Sequence, residues 1–278
     1  MSKLATTLVT LPKLKLLTKA SKFESEVTVY IKGFLAQGED PEDFNAWLYS
    51  HRLLLLSSRH HWGGLSYVYS WPSGTMRTAQ TFPFPFATLS GAAFLVYKNA
   101  NKLKNFRFPT PAAIVSTLAL DAGLNTARLA YQYHIATEAS QLRADLLAEK
   151  LVQLRRDHSR VRIVAHSLGC SHLLAAIREL TESDKPDVIH LCAPAVREEV
   201  VKDVLSLSPA KEQTYCYHTT RDLTLAALFR VMAQGSAIGD IGLSQEYPNI
   251  MSIDVSHRFD VVVHTKYARK FHHFAEPL

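Results

Sequence analysis

The chain has 278 residues, 47% of them hydrophobic and 20% charged, so it can bury a full core in one large domain and wholesale disorder is excluded. Its 31 Lys and Arg against 25 Asp and Glu give a net charge of +6, but the basic residues are scattered and form no nucleic-acid motif, so nucleic acid is not an expected partner. Cys170, Cys192 and Cys216 lie far apart and without metal-ligand spacing; they read as buried thiols in a reducing compartment, with no metal and no cofactor expected.

Residues 1–25 read as a basic N-terminal arm, with Lys3, Lys13, Lys15, Lys19 and Lys22 among scattered leucines. The arm lacks the apolar core and cleavage site of a secretory signal, and no apolar run in the chain reaches the length of a bilayer span. The expected location is cytoplasmic, with peripheral contact to a membrane surface as a further expectation. Glu26–Ile31 is β-branched and reads as a buried strand, running into Gly33-Phe34-Leu35 and the polar turn Gln37–Pro41. Pro41–Leu56 has helical spacing, with Phe44, Trp47, Leu48 and Leu55 as its apolar face and Asp40 as its cap. Ser66–Trp71 is the next predicted strand, closed by Pro72-Ser73-Gly74.

Residues 82–110 interrupt this alternation. Phe82-Pro83-Phe84-Pro85-Phe86 is aromatic and cannot be regular helix; an apolar patch and the basic stretch Lys98–Arg107 follow. The segment reads either as a packed loop and helix or as a cap over an acyl pocket, with Phe82 and Phe84 lining that pocket. Thr110-Pro111 starts a helix that Gly123 breaks, and a longer helix runs to about Arg156 with Leu142, Leu146, Leu147, Leu151 and Leu154 inward.

Val161–Cys170 then presents a β-branched run, Ala165, Ser167 and Gly169. A serine at a sharp strand-to-helix turn needs small residues two positions before and after it, and Ala165 and Gly169 supply them; small residues at a merely tight turn would look the same. Helix is predicted over Ser171–Leu180, 223–232 and 265–271, and strands over Asp187–Cys192, Thr214–His218 and Met251–Val255. Strands alternating with helices imply a mostly parallel sheet with helices on both faces. We read residues 26–278 as one α/β domain.

A serine hydroxyl attacks only when a base takes its proton. Asp222, just after the strand Thr214–His218, can orient such a base, or it can cap the helix that follows; Asp240, Asp254 and Asp260 are weaker rivals. Both His257 and His264 follow the last strand, and position alone does not choose between them. His166 is expected to turn away from the reacting carbon and to shape the pocket. An oxyanion would be held by the backbone N–H groups of Leu168 and Phe34, with Gly33 allowing the sharp turn beneath.

Gly33-Phe34-Leu35-Ala36-Gln37-Gly38-Glu39-Asp40 with Trp47, His166-Ser167-Leu168-Gly169, Leu191-Cys192-Ala193-Pro194, Arg221-Asp222 and His264-Thr265-Lys266-Tyr267 together resemble the α/β-hydrolases. Within them they are similar to a domain-of-unknown-function family whose eukaryotic members include the transmembrane and coiled-coil domain-containing proteins. The resemblance implies an α/β-hydrolase fold with a helical and aromatic insertion before the nucleophile elbow, and a triad of Ser167, Asp222 and His264, which tips the base from His257 to His264. Ala165 stands where glycine is more usual, and membrane-spanning segments like those of the larger relatives are missing. The expected activity is cofactor-free hydrolysis of a carboxylic ester or thioester, with a small-molecule or lipid ester as substrate. The alternatives are a catalytically silent hydrolase-fold scaffold and a peripheral lipid-binding protein.

Overall fold

The computed structural model describes residues 12–18, 25–34, 44–56, 62–73, 133–259 and 263–275. Among the described residues seven strands form one sheet: β1 (Lys13–Thr18), β2 (Glu26–Ile31), β3 (Leu65–Ser70), β4 (Arg160–His166), β5 (Val188–Cys192), β6 (Gln213–His218) and β7 (Ile250–Asp254). Their spatial order is β1-β3-β2-β4-β5-β6-β7. Only the β1–β3 pair is antiparallel; the other five are parallel. β1 lies inside the stretch read from sequence as an arm. Its lysines alternate with leucines, and lysine is a common residue on exposed edge strands.

β4 is the middle strand, flanked by β2 and β5. Five of its seven residues are buried and all of β2 and β5 is, as expected for strands covered on both faces. The covering helices are α1 (Asn45–Leu56), α2 (Ala144–Asp157), α3 (Leu168–Arg178) and α4 (Glu198–Ser206). α1 buries Phe44, Trp47, Leu48, His51 and Leu54 at its inner face, while Leu55 points outward, a correction to the predicted face. In α2 the predicted Leu147, Leu151 and Leu154 are buried, joined by Ala144 and Ala148, but Leu142 is exposed because the helix is interrupted at Arg143. The segment after Asp222 begins as a π-helix, Thr224–Phe229. A short helix α5 (Tyr267–Lys270) closes the chain between two 3-10 turns, His264–Lys266 and Phe271–His273. The predicted segment 82–110 with Phe82 and Phe84, the helix from Thr110, the Asp40 cap and Asp260 lie outside the described residues.

Cys170 on α3, Cys192 at the end of β5 and Cys216 on β6 are free and buried in the core. Burial raises the thiol pKa of each, that of Cys216 to about 12.

Two other buried groups set an acid limit on the fold. His51 on α1 meets the Tyr30 hydroxyl at 2.9 Å, and His172 on α3 donates from Nδ1 to the Ser140 carbonyl at 2.7 Å. Burial lowers both imidazoles from 6.5 to about 4. Between those values the unfolded chain binds more protons than the folded one, so stability falls as pH drops through the window. Each histidine contributes a slope of about 1.4 kcal/mol per pH unit well inside it. The urea midpoint should therefore fall from pH 7 to pH 5; a midpoint constant over that range would contradict this.

Candidate active site

β4 ends at His166, and Ser167 takes φ 55° and ψ −127° before α3 begins at Leu168. A non-glycine residue in that region is strained and persists only where its surroundings hold it. Three backbone bonds do so: Ser167 N donates to the Cys192 carbonyl at 3.0 Å, and the Ser167 carbonyl accepts from Cys170 N at 3.0 Å and Ala195 N at 3.2 Å. Ala165 is fully buried between Ile31 and Leu191. At Gly169 a Cβ would come within 2.7 Å of the Lys32 carbonyl, so only glycine lets α3 leave the sheet this close to β2.

The turn presents Ser167 to two residues from distant loops. His264 Nε2 lies 2.9 Å from Ser167 Oγ, and His264 Nδ1 lies 2.7 Å from Asp222 Oδ2. A carboxylate oxygen accepts, so Nδ1 carries the imidazole proton and Nε2 is left to accept from the serine hydroxyl. Asp222 is fully buried, while the side chain of His264 is 16% exposed. The other carboxylate oxygen of Asp222, Oδ1, accepts from Thr224 N at 3.1 Å and Leu225 N at 3.2 Å. One aspartate therefore caps the helical segment with one oxygen and holds the imidazole with the other. The contacts that each reading of Asp222 requires, to the helical segment and to the imidazole, are both present.

The rivals that the structure describes, His257, Asp254 and Asp240, make other contacts or face solvent. His257 is exposed on the 3-10 turn Ser256–Arg258. Asp254 Oδ1 accepts from Ser256 N at 2.7 Å, and Asp240, on the helical turn Ile238–Ile241, pairs with Arg230 at 2.8 Å.

Leu168 is the first residue of α3, where an N–H has no partner within the helix and faces the positive end of its dipole. A Cβ on Gly33 would sit 2.7 Å from Ser167 Cβ and 3.0 Å from Leu168 N, so the chain entering Phe34 runs against the serine turn. The Phe34 ring meets Tyr133 edge-on at 5.3 Å, and Tyr133 meets Phe229 at 6.5 Å. This aromatic row joins the loop after β2 to the π-helix after Asp222. Sequence reasoning did not single out Tyr133 or Phe229, and no local motif marks either.

His166 sits among side chains of α1, α5 and the turn that carries His264. Its ring lies 6.0 Å from Trp47, 5.8 Å from Tyr267 and 4.8 Å from the His264 ring. Among the described residues no cluster of three His, Cys, Asp or Glu side chains could hold a metal ion. No helix among them is long and apolar enough to cross a membrane.

A mostly parallel seven-stranded sheet whose middle strand ends in a strained serine turn, met by a histidine and an aspartate from later loops, has the build of an α/β hydrolase. The chain belongs to the family described as "Alpha/beta hydrolase of unknown function (DUF900)", whose pattern it matches over residues 14–268. That match agrees with the α/β-hydrolase resemblance read from sequence. A comparison with curated proteins found no match.

Proposed function

We propose that the protein is a serine hydrolase that cleaves a carboxylic ester or thioester with an apolar acyl group. The observation that carries this reading is the continuous chain from Ser167 Oγ through the His264 imidazole to the buried Asp222 carboxylate, with spacings of 2.9 and 2.7 Å. Ser167 Oγ attacks the acyl carbon as its proton passes to His264 Nε2. The resulting oxyanion is held by the N–H groups of Leu168 and Phe34, each such donor contributing about 3 kcal/mol in comparable sites. The bond to the alkoxide or thiolate then breaks, and the leaving group takes the proton from Nε2. Water repeats the sequence on the acyl-enzyme: it gives a proton to Nε2, releases the acid and restores the serine hydroxyl. Asp222 keeps Nδ1 protonated and stabilises the imidazolium in between. The row Phe34–Tyr133–Phe229 favours an apolar acyl chain beside this site.

The test is labelling with a fluorophosphonate and mapping of the adduct. A single adduct on the peptide bearing Ser167, with turnover of p-nitrophenyl esters, is the expected result. No adduct, or one on another serine, would remove the reading.

A further inference from the structure

We propose that His166 is a positioning residue for the base: it fixes the backbone of His264 while its neighbour Ser167 meets the side chain of that same histidine. The inference rests on the serine-hydrolase reading above.

His166 Nε2 lies 3.0 Å from the His264 carbonyl oxygen. A carbonyl can only accept, so Nε2 carries a proton and donates. His264 Nε2 in turn is 2.9 Å from Ser167 Oγ. Two consecutive residues at the end of the middle strand thus grip both ends of one residue far along the chain. The grip matters because His264 opens a single 3-10 turn, His264–Lys266, and a 3-10 turn is a weak scaffold compared with a helix or strand. The His166 bond ties that turn to β4, whose register is set by ladders with both β2 and β5.

The ring itself has little freedom. Trp47 from α1, Tyr267 from α5 and His264 surround it at 6.0, 5.8 and 4.8 Å. Burial, and then the charge of His264, hold the His166 pKa well below its ordinary value; Lys32 acts in the same direction. The ring is therefore neutral, which suits the chemistry. His264 becomes a cation between taking and delivering the proton, and a second cation one ring-width away would oppose that charge. The residue next to the nucleophile, read from sequence as shaping the pocket, is then also part of the base's mounting.

Two variants of the full chain separate the bond from the packing. His166→Phe keeps a ring and removes the donor; His166→Gln removes the ring and keeps an amide donor of similar reach. We expect His166→Phe to lower kcat on p-nitrophenyl butyrate and the fluorophosphonate labelling rate by about 10- to 100-fold, the cost of a base displaced by a fraction of an ångström to about 1 Å. KM should stay within about twofold, because the lost contact does not touch the substrate. His166→Gln should stay within about threefold of the parent in kcat. A readout independent of turnover is the downfield imidazole proton of the His264–Asp222 hydrogen bond in NMR spectra. It should persist in His166→Gln and broaden or vanish in His166→Phe. Thermal unfolding is followed for both, and His166→Leu replaces His166→Phe if the latter does not fold. A folded His166→Phe with parental kcat and an intact downfield proton overturns the proposal, as does a folded His166→Gln that loses as much as His166→Phe. If the parent chain takes no label at Ser167, the hydrolase reading fails, yet the NMR comparison still decides whether His166 holds His264.

Discussion

Ser167→Ala should lower kcat on any ester substrate by about 10⁶-fold while leaving the fold in place. In the proposed mechanism this hydroxyl is the protein group that bonds to the acyl carbon. Alanine keeps the Cβ, so it enters the same φ 55° conformation with the strain unchanged. The backbone bonds to Cys192, Cys170 and Ala195 do not involve the side chain. The loss of the Oγ–Nε2 hydrogen bond should cost no more than about 1 kcal/mol of stability. Steady-state kinetics beside a thermal melt checks both halves. Substantial turnover by a purified Ser167→Ala chain would place the hydrolysis elsewhere.

Asp222→Asn should lower kcat by roughly 10⁴-fold with little loss of stability, a larger effect on rate than on fold. The two carboxylate oxygens of Asp222 have different partners. Asn can still accept from Thr224 N and Leu225 N with its amide oxygen, which preserves the cap. Its NH₂ then faces His264 Nδ1 and can only donate to it. The imidazole is driven to the tautomer protonated on Nε2, which cannot accept the serine proton. Asp222→Ala should show the same loss of rate and in addition a lower melting temperature, since removing a cap costs about 1 kcal/mol and here also leaves a buried imidazole N–H unpaired. If Asn and Ala lowered kcat no further than a few-fold, Asp222 would be a cap alone.

Much of this site was legible in the sequence because its constraints are local. The turn at Ser167 demands small neighbours, and Ala165 and Gly169 are adjacent in the chain. β2 was read with the bounds the structure gives it, since Glu26–Ile31 is a β-branched run buried on both faces. What stayed hidden depended on return paths through space. His257 and His264 both follow the last strand, and only the fold shows that one faces solvent while the other comes back to the serine. The cap and the orienting role of Asp222 looked like rivals because a sequence does not show that a carboxylate can divide its oxygens between them. On α1, Leu53-Leu54-Leu55-Leu56 is uniformly apolar, so periodicity could not choose among four leucines. The true inner face runs through His51, which reads as polar yet is buried against Tyr30. β1 and α4 were missed for a related reason: alternating lysines mask an edge strand, and the acidic opening of Glu198–Ser206 masks the inward Val201, Val204 and Leu205.

The three buried sulfurs bear on how the proposed activity could be blocked. A thiol must ionise and be reached before an electrophile can modify it, and Cys170, Cys192 and Cys216 fail on both counts in the folded chain. Maleimides and other sulfur-directed warheads therefore have no foothold on these three cysteines. On the serine-hydrolase reading, a selective covalent inhibitor would be built around an oxygen-seeking group aimed at Ser167.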